Sequence, residues 1–83
     1  MLATMGTAAA TWLAAFVEKL GIDAPTDAEV EAILALAGTA AHASERTAAP
    51  IACWLAAKAG INPFDARELA NGIAVLESDT DSV

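Results

Sequence analysis

One proline constrains this chain more than any other residue. Pro50 has no backbone N–H and a φ fixed at about −65°, so a helix that contains it begins within a turn before it. Thr47 is the N-cap candidate, which places Pro50 at the third helical position, where a missing donor costs nothing. The preceding helix then closes near residues 42–44, leaving a turn of a few residues. A connection that short makes the two helices antiparallel neighbours or a crossed corner. The stretch 40–55 around this boundary also carries the only histidine (His42), the only cysteine (Cys53), Arg46 and Trp54.

The rest of the chain reads as helix on either side of that boundary. Trp12, Leu13, Phe16, Val17 and Leu20 form one apolar stripe at helical spacing, predicting a helix over 7–20 that Gly21 ends in a left-handed cap, with Lys19 suited to the negative helix end. Thr26-Asp27-Ala28-Glu29 fits a capping box and opens a second helix over 27–43, with Val30, Ile33, Leu34, Ala37 and Ala41 as its expected buried face. Gly38 lies inside it, either admitting a close neighbour or weakening the last turns. A third helix is expected over 48–59, with Ile51, Trp54 and Leu55 turned inward, Lys58 snorkelling past the rim and Gly60 after its end. Asn62 and Pro63 open a fourth over 63–76, with Leu69, Ile73 and Leu76 as its seam, followed by an acidic disordered tail over 77–83.

No stretch alternates like a half-buried strand, and there is no internal repeat. The expected fold is all-α, a compact bundle of four short helices in one domain over 1–76. A chain of 83 residues has no room for a second core.

Composition sets the function classes aside one by one. The formal charge is −7 with four basic residues, which disfavours nucleic acid and anionic membrane surfaces as partners. Residues 1–17 are uncharged, but no Lys or Arg precedes them as in a signal peptide, and Gly6 with three threonines interrupts any span. One cysteine allows no internal disulfide, and a cytoplasmic location is expected. Hydrophobic residues make up 57% of the chain but aromatics only 5%. The excess is mostly alanine, which fits closely packed helices with apolar surface left for a partner, or simply a GC-rich genome.

Chemistry-bearing residues are sparse. His42 and Arg46 would sit one turn apart if the second helix ran through them, able to hold an anion together, or else would brace the helix end and turn. Cys53 lies mid-helix and reads as a small packing residue. The acids show no metal-ligand spacing, and no glycine-rich phosphate loop or catalytic signature is present. Trp12 and Trp54 read as core anchors, with Trp54 also a candidate binding residue beside His42 and Arg46. Catalytic residues, metal ligands and cofactors are all expected to be none.

Over roughly residues 12–59, His42, Arg46, Ala49-Pro50, Leu55, Ala59 and Gly60 follow the pattern H-x-x-x-R-x-x-A-P-x-x-x-x-L-x-x-x-A-G. That pattern resembles the core of DUF6457, a small actinobacterial domain family of unknown function. Its members occur as short proteins or appended to domains of the molybdenum cofactor guanylyltransferase type. The resemblance implies an accessory or docking role near molybdenum cofactor assembly, and it carries over no catalytic residue. The expected function is a small non-catalytic interaction or accessory domain that binds another protein. The alternatives are a self-associating module whose partner is its own copy as a homodimer, or a small anion- or ligand-binding domain using His42 and Arg46.

Overall fold

The computed structural model describes residues 6–75. They form four α-helices, α1 (Thr7–Leu20), α2 (Asp27–Ala43), α3 (Ala48–Lys58) and α4 (Pro63–Asn71), with no strand among the described residues. The fold is all-α, as the helical spacing predicts. The chain divides into two units, residues 1–31 and 32–83, with the boundary inside α2.

In the first unit the helix ends follow local chemistry. Gly21 is left-handed (φ 70°, ψ 32°). Its N–H donates to the Glu18 carbonyl at 3.1 Å, and the Ile22 N–H reaches back to the Val17 carbonyl at 3.4 Å. These bonds satisfy carbonyls that the end of α1 would otherwise leave bare. Along α1, Leu13 and Val17 are half-buried, whereas Trp12, Phe16 and Leu20 are exposed. The Trp12 and Phe16 rings lie against each other one turn apart, 5.3 Å between centroids. The capping box of α2 is complete. Thr26 Oγ1 accepts from the Glu29 N–H at 3.1 Å, and Glu29 Oε1 accepts from the Thr26 N–H at 2.8 Å. Val30, in the next turn, is buried.

In the second unit the helices face otherwise than side-chain size suggests. On α2, Ala32 is fully buried and Leu36 nearly so, while Leu34, expected inside, is exposed. Alanines at 32, 35 and 37 blur the stripe, and the helix settles with Ala32 and Leu36, one turn apart, facing inward. The expected inner face of α3 is also the outer one: Ile51, Trp54 and Leu55 are 58%, 60% and 53% exposed. The half-buried positions are instead Ala48, Ala49, Ala52, Cys53 and Ala56, themselves at helical spacing. On α4, Ala66 is buried and Ala70 half-buried, while Leu69 is 62% exposed. Alanine at these half-buried positions fills little volume, and the larger Leu and Trp side chains of α3 and α4 are left outward.

The α2–α3 turn places Pro50 third in α3, as expected, but Thr47 does not cap through its hydroxyl. Its backbone is already right-handed (φ −66°, ψ −17°), and its side chain makes no cap bond. The Ala48 and Ala49 N–H groups donate instead to the Glu45 and Arg46 carbonyls, at 2.9 and 3.1 Å. At its far end α3 stops at Lys58, one residue short of the expected limit. Gly60 is left-handed (φ 75°), and Ile61 N–H bonds the Ala56 carbonyl at 3.1 Å.

The Asn62 cap of α4 forms as its sequence indicates: Oδ1 accepts from the Asp65 N–H at 2.9 Å and Nδ2 donates to Asp65 Oδ2 at 3.0 Å. The helix ends at Asn71, five residues before the expected limit. Asn71 and Gly72 are poor helix formers in succession, and the Thr39 hydroxyl bonds Asn71 Oδ1 at 3.3 Å, tying this end to α2. Ile73 therefore lies beyond the helix and is exposed. Leu76 and the acidic tail lie outside the described residues, as do residues 1–5.

Candidate functional site

The outward face of α3 carries Ile51, Trp54, Leu55 and Lys58 at i, i+3, i+4 and i+7, one continuous stripe. The Lys58 Nζ lies 5.1 Å from the Trp54 ring centroid, a cation–π contact at the surface. Beside the stripe lies an almost wholly apolar hollow of about 280 Å³. Leu36 and the alanines at 52, 56, 66 and 70 line it together with the larger Leu55, Ile61, Leu69 and Ile73. Leu55 and Ala52 also line a second hollow with Ile51, Ser44 and Glu45, and Ile61 and Leu69 line a third with Asp65 and Glu68. The shared walls make one continuous surface across α3 and α4, apolar at its centre and charged at its margins. Small side chains beside large ones offer holes and knobs together, which is how helices interlock.

His42, Arg46 and Trp54 lie on three successive stretches: the last turn of α2, the turn after it, and α3. Helix α2 stops at Ala43, where the Ser44 hydroxyl bonds back to the Ala40 carbonyl at 2.8 Å. His42 is therefore in the last helical turn and Arg46 in the turn beyond it, both exposed, without the helical spacing that would put them on one face. His42 lines a hollow with Gly38, Thr39 and Asn71, while Trp54 belongs to the α3 face. The N-terminus of α3 is not an anion seat either. Its first two N–H groups are taken by the Glu45 and Arg46 carbonyls, and Pro50 supplies none.

Cys53 sits on the half-buried side of α3, and burial pushes its thiol pKa up, which disfavours the nucleophilic thiolate. Among the described residues no three His, Cys, Asp or Glu side chains cluster as metal ligands, and no helix is long and apolar enough to cross a membrane. Sequence reasoning missed Leu69 as a surface residue and Leu36 as a core one. The usable signal was the run of alanines one turn apart on α3 and α4.

The DUF6457 family, a domain of unknown function, matches residues 4–78, which extends past the 12–59 stretch of the sequence resemblance to take in α4. No curated protein and no solved structure matches the chain.

Proposed function

Because the chain belongs to that family of unknown function, its role has to be read from its own surface, and we propose a non-catalytic interaction domain that docks a protein partner on the α3–α4 face. One observation carries this reading. Leu55 and Leu69 are each more than half exposed on the wall of an apolar hollow, with Ile51 and Trp54 as exposed along the adjoining α3 stripe, while alanines take the buried positions of the same helices. Burying a Leu, Ile or Phe side chain is worth about 1.5–3 kcal/mol, and this chain leaves that gain unrealised at several adjoining positions. A partner that covers the face realises it, and Trp54, in cation–π contact with Lys58, has the character of a binding hot spot. The resemblance noted from the sequence implies, as a separate part of this proposal, that the domain serves near molybdenum cofactor assembly.

The test is capture from an extract of the native host with the tagged chain, against Leu55→Asp and Trp54→Ala. A partner held by the wild type and released by both variants, with unchanged helical circular dichroism, is the expected result. Identical retention by all three proteins would overturn the docking reading. A cofactor nucleotidyltransferase or molybdenum enzyme among the retained proteins supports the accessory role. A specific partner of unrelated chemistry retires that part alone.

A further inference from the structure

We propose that the occupant of the α3–α4 face is a second copy of this chain, with α3 lying antiparallel against its own symmetry mate. This rests on the docking reading above and names its partner. Three observations point to it.

The first is charge. Residues 32–75 hold three acids (Glu45, Asp65, Glu68) and three bases (Arg46, Lys58, Arg67), so this part of the chain is neutral although the whole carries −7. Glu45, Asp65 and Glu68 stand at the margins of this face and Lys58 on its stripe, so a second copy brings a cation for the acids to meet. The second is self-complementarity. A two-fold interface brings the same patch together twice, so it must hold both projections and recesses. Leu55, Leu69 and Ile73 project at the wall of the alanine-lined hollow, and Ile51 and Trp54 continue the projections along the α3 stripe. The third is area. Ile51, Trp54, Leu55, Leu69 and Ile73 are each between half and two-thirds exposed. At roughly 200 Å² for a fully exposed large side chain, they present about 600 Å², most of the ~800 Å² that each partner buries in a standard interface.

Antiparallel pairing follows from the ends of α3. Glu45 lies just before the helix and Lys58 closes it, roughly 20 Å apart at 1.5 Å per residue. Turning the mate by 180° sets each Glu45 beside the other copy's Lys58, while parallel pairing sets like beside like.

Sedimentation equilibrium of the full chain, over a range of concentrations, tests both parts. The wild type is expected at twice the monomer mass, and Leu55→Asp at the monomer mass with unchanged circular dichroism. Glu45→Lys and Lys58→Glu are each expected to raise the dimer Kd roughly tenfold, since symmetry counts each pair twice, and the double reversal to restore it. A wild-type monomer at submillimolar concentration, or a dimer indifferent to Leu55→Asp, overturns self-docking. If that monomer still captures another protein through Leu55, only the identity of the partner has failed and the docking reading stands. A Leu55-dependent dimer that the double reversal does not restore overturns the antiparallel register.

Discussion

Alanine in place of Gly38 and alanine in place of Gly60 make the same chemical change in two different backbones, and the expected effects have opposite signs. Gly38 is inside α2 with ordinary helical geometry, and a Cβ built there meets nothing within 4 Å. The substitution therefore brings no clash and removes the helix penalty of glycine, about 1 kcal/mol relative to alanine. Gly60 has φ 75°, where a Cβ crowds the following carbonyl and costs about 1–2 kcal/mol, although the surrounding space is equally open. For a domain of this size 1 kcal/mol moves Tm by about 4–8 °C. Gly38→Ala should raise Tm by that amount and Gly60→Ala lower it by as much or more, in melts followed by circular dichroism and repeated with urea. A fall in Tm for Gly38→Ala would refute the reasoning, because it would mean that another surface packs within 4 Å of Gly38 in solution. An unchanged Tm for Gly60→Ala would mean that the left-handed cap of α3 does not form.

Leu36→Ala is expected to cost about 2–3 kcal/mol in urea unfolding, because Leu36 is buried, whereas Leu34→Ala should cost under about 1 kcal/mol. Equal losses would mean that α2 is rotated as the hydrophobic spacing first suggested. Thr26→Ala removes the hydroxyl that accepts the Glu29 N–H, leaves the residue-26 N–H bond to Glu29 Oε1 in place, and should lower stability by about 1 kcal/mol, measured the same way. Thiolate absorbance should place the Cys53 pKa above that of an ordinary exposed thiol, because the thiol is desolvated on α3. The folded state holds this proton more tightly than the unfolded one. Its contribution is therefore full below the unfolded thiol value and declines as pH rises from there through the folded value, a decline that Cys53→Ala should abolish.

What was legible in the sequence is what a few neighbouring residues decide. The Thr26–Glu29 box, the Asn62 cap and the left-handed Gly21 and Gly60 each depend on hydrogen bonds within about one helical turn, so their residue types name their geometry. The end of α4 was equally local, yet the Leu69, Ile73 and Leu76 spacing masked Asn71-Gly72, and the Thr39 bond to Asn71 adds a partner 32 residues away. Thr47 shows the limit of cap reading. Its residue type suits a cap, but two successive turns at Glu45 and Arg46 had already satisfied the donors.

The facing of the helices was not legible, and this bears on function. Hydrophobic spacing marks α3 as apolar on two sides, one of alanines and one holding Ile51, Trp54 and Leu55. Ranking side chains by size puts the larger set inside, because each contributes more on burial. That ranking holds only when one chain supplies all the apolar surface there is to meet. If α3 has neighbours on both sides, alanines serve the side where axes must come close, and large side chains serve the side where a partner brings recesses to fill. The alanine-inward, tryptophan-outward arrangement of α3 is then what a helix between an intramolecular contact and an intermolecular one requires. On the docking proposal, Trp54 and Leu55 are the surface residues through which this chain would recognise its partner.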